Sequence, residues 1–376
     1  MKKILVIPHH PGLTNIKVRL VEIARTLSKE NEVCLLHWNS AEGKYTIWER
    51  IKVSLKDIFK RPKIYREKRM TIAEIPTLHR PLWLVQKVNG FFLKRMIEKE
   101  NFDLVINGSY YHFPITGKNR KYKYVFDIAD FFTPDRENKH ERFIAKKTKE
   151  EMLKADLITV ISNEMVDYIK EKYDLKAYFV PNGADLVKMN SVSPEEIEEL
   201  KIKYGIKNKW VMGYVGYIGG WVNVDMVIES FKQVKKSIPE AVLIWIGLAP
   251  DIEKVRREYG AEDIIFVGGV SNIEKYFRML DVGLLAHREC DFQDKAFHLK
   301  VIEYTAARKY VVSTRLKETQ RVGLPNIIFA AENADEWAKA LNKAKNKKWD
   351  PQWDNIVKDY SWDNIIYNLL ALIESN

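Results

Sequence analysis

Lys300, Glu303, Tyr304 and Ala307 fall at i, i+3, i+4 and i+7, a spacing that puts all four on one face of a helix. A cation and a carboxylate in the first turns of a helix that follows an apolar strand can hold a charged ligand. The helix N-terminus offers backbone N–H groups and positive potential to a phosphate, and the carboxylate accepts hydrogen bonds from sugar hydroxyls. The same spacing also serves a plain i,i+3 ion pair. Glycine-bearing loops carry related chemistry. In Pro8–Asn15, Gly12 lets backbone approach an anion where a helix opens, and it is equally a turn residue. That loop is not G-x-G-x-x-G, so the dinucleotide fingerprint is unsupported. In Tyr214–Asp225, a strand ends in Gly216 and is followed by Gly219, Gly220 and a helix, which has the shape of a phosphate cradle or of a simple glycine turn. Asp127 and Asp130, in YVFDIADFF, and His112, in GSYYHFP, follow strand-like runs of the first half. Loop-capping aspartates and a structural histidine are their plainer readings. No D-x-D flanked by an apolar strand, no H-E-x-x-H and no Cys/His cluster occurs, so no metal is expected; no G-x-S-x-G marks a nucleophile.

These residues need a scaffold, and the pattern supplies one. Apolar strand-like runs at 3–8, 32–38, 104–107, 123–128, 157–162 and 177–181 alternate with helical stretches, as do runs at 210–216, 241–247, 263–269, 281–286 and 310–314. Such alternation predicts an α/β chain with parallel sheets covered on both faces. The expected divisions are a first domain at 1–187, with an irregular helical insertion at about 40–100, a connection at 188–209, a second domain at 210–355 and a terminal helix at 356–376. Within the connection, Ser191 or Ser193 is placed to cap a short helix beginning at Pro194.

The chain has 376 residues, 46% hydrophobic and 30% charged, enough for two domains that each bury a core. Cys34 and Cys290 give neither a disulfide framework nor a metal cluster, and a reducing compartment follows. With no signal peptide before the first strand and no apolar run approaching a membrane span, a cytoplasmic protein is expected. The net charge of +11 is concentrated: residues 44–99 carry 15 Lys/Arg against 5 Asp/Glu, interleaved with Trp48, Ile51, Phe59, Trp83 and Phe91. That mixture suits an anionic membrane surface, or simply a solvated basic face over the core. No nucleic-acid motif accompanies it, so nucleic acid is not the expected partner.

Residues 281–314 resemble the donor-site signature of family 4 of the retaining glycosyltransferases. That pattern runs D-V-G-L-I-P-F-R, a variable loop, then P-L-K-L-x-E-Y-L-A-A-G-K-P-V-V-S-T. Asp281, Gly283, Leu284, Arg288, Lys300, Glu303, Tyr304, Ala306, Ala307, Lys309, Val311, Val312, Ser313 and Thr314 fall in register with it. The run Val180–Asp185, VPNGAD, is similar to the family's V-P-N-G-V-D, and reads as a structural turn. The resemblance implies the GT-B fold: two Rossmann-like doubly wound domains facing a central cleft, the terminal helix crossing back to the first. It implies transfer of a sugar, with retention and without a metal, from a UDP- or GDP-linked donor to a glycan or lipid-linked acceptor. No other cofactor is implied. Gly216, Gly219, Gly220, Gly268 and Val270 would line the nucleotide, with Gly12 across the cleft and Glu303 on the ribose. Tyr217 replaces the family arginine, which leaves the diphosphate charge to Lys300 and Arg288. The family's first glutamate is Lys295 here, so Asp294 is the substitute on the donor sugar; Ala129 replaces a histidine, leaving Asp127 and Asp130, with His112, near the sugar or acceptor. In this family catalysis resembles front-side displacement and rests on positioning and electrostatics. The departures also admit a weakened GT-B protein that binds or scaffolds without transfer.

Overall fold

Short runs rich in Val, Ile and Leu form the strands of two parallel sheets in the computed structural model. The structure describes residues 1–9, 18–38, 52, 56, 58–59, 63–67, 69–78, 82–109, 112–115, 120–129 and 139–376. Gly12, Asp130 and, of the stretch expected as an insertion, residues 40–51 with several positions up to 81 lie outside them.

The chain divides into two compact units, Met1–Ile161 with Met165–Val180 and Ile366–Asn376, and Ser162–Glu164 with Pro181–Ile365. In the first, the strands are β1 (Lys3–Ile7), β2 (Glu32–His37), β3 (Lys63–Glu67), β4 (Met70–Glu74), β5 (Leu104–Asn107), β6 (Lys123–Ile128), β7 (Leu157–Val160) and β8 (Tyr178–Phe179). Their order is β3-β4-β2-β1-β5-β6-β7-β8, parallel throughout except for the β3–β4 hairpin. That hairpin corrects the expectation of an irregular helical insertion, since part of the stretch is paired as strands. Its outer strand, KIYRE, is exposed at all five positions and so lacks the apolar face that announces a strand. Inside the unit, Arg19 donates two hydrogen bonds of 3.0 Å to Asp127, which also accepts from the Thr159 hydroxyl at 2.8 Å.

The second unit carries β9 (Trp210–Val215), β10 (Ala241–Ile246), β11 (Ile264–Gly268), β12 (Val282–Leu285), β13 (Tyr310–Ser313) and β14 (Ile327–Phe329). The order β11-β10-β9-β12-β13-β14, all parallel, runs outward in both directions from the first strand. The direction of winding reverses between β9 and β12. In open α/β sheets the crevice beyond the carboxyl ends of the strands at such a switch is where ligands bind. Fully buried Trp245, stacked on Phe266 at 5.9 Å, and Trp337 anchor the core beneath.

Residues 188–209 are not a connection. They hold helices Leu186–Ser191 and Pro194–Lys203, packed within the second unit on helix Ile273–Met279, with Lys275 bridging to Glu196 at 2.5 Å. Ser193 caps the second helix in a reciprocal box with Glu196, as the sequence suggests. The last helix, Trp362–Ser375, begins in the second unit, and from Ile366 onward it belongs to the first. There the Ile373 carbonyl accepts from Lys123 at 2.6 Å.

Candidate active site

Tyr304 fixes the helix Leu299–Ala306 over the switch point. Its ring lies against Gly283 so closely that a Cβ there would stand 2.5 Å away. Its hydroxyl accepts from the Val215 N–H at 2.9 Å and reaches the carbonyls of Gly213 at 3.1 Å and Leu284 at 3.3 Å. One side chain thus ties the helix to both β9 and β12. Lys300, one turn earlier, is carried to the end of β9: a Cβ on Gly216 would lie 3.2 Å from its Cε and Nζ. Gly216 has φ +142°, a conformation that favours glycine. Gly247, closing β10, has φ +145°, and a Cβ on it would meet the Gly216 carbonyl oxygen at 1.9 Å. The Gly247 N–H donates to the Gly268 carbonyl at 2.9 Å, which aligns the ends of β9, β10 and β11.

A polar network closes around the lysine. Lys300 Nζ donates to the Tyr214 hydroxyl at 2.8 Å and lies 3.1 Å from His287 Nε2. Tyr214 donates to the Tyr217 carbonyl at 3.0 Å, and His287 Nδ1 is 2.7 Å from Gln293 Oε1. His298, just before the helix, packs edge-on against His287 at 4.6 Å between ring centres. Burial pushes the Lys300 ammonium down to about 7, opposed by the Glu303 carboxylate. Burial and the neighbouring Lys300 hold His287 well below the usual imidazole range and His298 down to about 3, so both rings are neutral. Lys300 is only part-buried, so solvent reaches it.

The structure therefore brings together Gly216, Lys300 and, on the same helix, Glu303, which is 7% exposed and offers little surface to a ligand. Gly268, with φ +90°, ends β11, and Val270 follows it along the same edge. Gly219 lies under the Trp221 ring, and a Cβ on Gly220 would meet open space. Other expectations change. Arg288 is half-exposed and faces Glu332 at 3.8 Å, so part of its charge is already met. Asp294, expected on the sugar, instead accepts the Lys317 N–H at 3.1 Å at the start of helix Lys317–Val322. Lys295 pairs with Asp291. Asp127, expected near an acceptor, is consumed by the buried Arg19 pair. His112, in the first unit, rests against Trp38 at 6.0 Å between rings. Tyr214, His287, Gln293 and Gly247 were not singled out by sequence. His287 stands directly before Arg288 in the signature, and Gly247 repeats at β10 the strand-then-glycine pattern of β9, so both carried a readable signal. Among the described residues, no group of three or more His, Cys, Asp or Glu could hold a metal ion.

Comparison with known proteins agrees with this geometry. Residues 209–346 match the family described as Glycosyl transferases group 1. TuaH of Bacillus subtilis (strain 168), a proposed teichuronic acid biosynthesis glycosyltransferase, is 25% identical over 275 residues; the alignment covers 62% of this chain and 66% of TuaH, just under two thirds. A glycosyltransferase from Rickettsia africae ESF-5 superposes with TM-score 0.74 at 17% identity, covering 100% of this chain and 98% of that one. HepE of Anabaena, solved in complex with UDP and glucose, superposes with TM-score 0.68 at 16% identity over 100% of both chains. The fold is the α/β GT-B fold of these glycosyltransferases. The family match lies within the second unit, and the structural neighbours show the fold.

Proposed function

We propose that this protein moves a sugar from a UDP- or GDP-linked donor to a hydroxyl of a glycan or lipid-linked glycan, with retention and without a metal. The observation that carries the reading is Lys300 set against Gly216 at the switch point of the second sheet. A diphosphate there meets an ammonium, the N-terminus of helix Leu299–Ala306, which has no side-chain cap, and backbone freed of a Cβ. The nucleoside would extend past Gly268 and Val270, and Arg288, next to His287, is the second cation. As the bond from the sugar to the diphosphate breaks, Lys300 meets the charge growing on the leaving oxygen. The acceptor oxygen bonds to the same face of the sugar, and its proton passes to the diphosphate. Gly12, proposed to face the donor, and Asp130, proposed to bind acceptor or donor sugar, lie outside the described residues. TuaH's name, which places it in teichuronic acid biosynthesis, favours a glycan acceptor. The stretch 44–99 would set the protein peripherally on the cytoplasmic face of a membrane, and exposed Ile64 beside Lys63 and Arg66 fits that role.

A thermal-shift panel of UDP, GDP and their sugars tests the reading, since a ligand at 100 times Kd adds about 2.7 kcal/mol. A melting shift with one base, together with turnover of its sugar nucleotide, is expected; no shift and no turnover with any of them sinks it. The engaged Asp294 and Lys295 favour a second reading, a protein that binds the nucleotide without transfer. A shift with no turnover selects that one.

A further inference from the structure

We propose that His287 and Tyr214 are positioning residues for Lys300: they accept two of its three ammonium protons and leave the third for an anionic oxygen beside Gly216. The inference rests on the diphosphate reading above. It follows from the direction each hydrogen bond must run. Tyr214 has one proton, for which the Tyr217 carbonyl at 3.0 Å lies nearer than His287 Nε2 at 3.3 Å, and since an ammonium can only donate, the hydroxyl accepts from Lys300. Gln293 Oε1 can only accept, which puts the His287 proton on Nδ1 and turns Nε2 into an acceptor, 3.1 Å from the ammonium. The opposite tautomer would point an N–H at a cation. The His287 backbone is pinned as well, its carbonyl accepting from the Thr314 hydroxyl at 2.7 Å.

Among the described residues, the titratable groups that interact with Lys300 are Tyr214 on β9, His287 after β12, His298 at the helix start and Glu303 on the helix itself. Of these only Glu303 carries a charge that favours the ammonium. Neutral acceptors thus keep the ammonium in place without cancelling its charge, so the charge is left for the ligand. A bound diphosphate favours the charged lysine. Above the lysine's own midpoint, binding must therefore take up a proton, and affinity falls as pH rises.

The test is calorimetric binding of UDP and GDP from about pH 6 to about pH 9 in wild type, H287L, H287Q and Y214F. In wild type, affinity declines by about tenfold per pH unit once Lys300 loses its proton. Removing an acceptor disfavours the ammonium, so in H287L and Y214F the decline begins at lower pH. At about pH 8, H287L binds about tenfold more weakly than H287Q, which keeps an acceptor where Nε2 was. A purely structural role would weaken binding equally at every pH. An H287L or Y214F profile that starts to fall where wild type does overturns the proposal; if H287L does not fold, Y214F decides. Carbon NMR of the lysine Cε reads the Lys300 midpoint without ligand. If wild type binds neither nucleotide, the diphosphate reading fails while the NMR midpoints still decide the positioning role: a lower midpoint in Y214F upholds it and an unchanged one overturns it.

Discussion

Arg19 and Asp127 each keep only 3% of their side-chain surface exposed, and two hydrogen bonds join them. Removing one partner of such a pair leaves an ion without water, which costs about 3–5 kcal/mol. Arg19→Leu should lower urea stability by that amount, while the affinity of the second unit for nucleoside diphosphate stays at the wild-type value. A loss below about 1 kcal/mol, the worth of an exposed pair, would return Asp127 to the list of ligand-binding candidates. At this scale the sequence was half legible. Lys300 and Gly216 were visible because a cation on a helix face and a glycine ending a strand both have local signatures. The partners of Lys300 were not, because Tyr214 lies 86 positions away in the chain and is brought in only by sheet order.

Two glycines shape the ends of the strands, and the element scale is where they act. Gly247 cannot carry a side chain: its φ of +145° is strained for other residues, and the Gly216 carbonyl occupies the space. Gly247→Ala should cost about 2–5 kcal/mol from strain and overpacking, read by chemical denaturation. It should also weaken diphosphate binding, because the Gly216 backbone must move. An alanine tolerated with under about 1 kcal/mol would mean that β9 and β10 do not approach as described. Strands buried on both faces were easy to read as unbroken apolar runs, and a serine cap before Pro194 was legible, with Ser191 and Ser193 both open until the structure assigned Ser193. The short edge strands β3 and β14 were not, since edges owe their pairing to a neighbour and not to their own pattern. The polar run at 188–209 looked like a connection because its helices expose most of their surface; helix Pro194–Lys203 has no buried residue at all.

At the scale of the whole molecule, the proposed transfer assigns membrane contact to the first unit and the donor to the second. Among the described residues no helix is long and apolar enough to cross a membrane, so membrane contact would have to be peripheral. Flotation with anionic liposomes should carry the protein upward, less so as salt rises, because each Lys or Arg near such a surface contributes about 1 kcal/mol. Equal recovery with neutral lipid would return residues 44–99 to a solvated face. The central claim is that Lys300 at the switch point holds a nucleoside diphosphate. Isothermal titration of UDP and GDP into wild type and Lys300→Met tests it most directly. One nucleotide should bind wild type, and the methionine variant, still folded, should bind it about tenfold to a hundredfold more weakly, the worth of a charged hydrogen bond. Equal affinity in the two proteins, or no binding of either nucleotide to wild type, would contradict the claim.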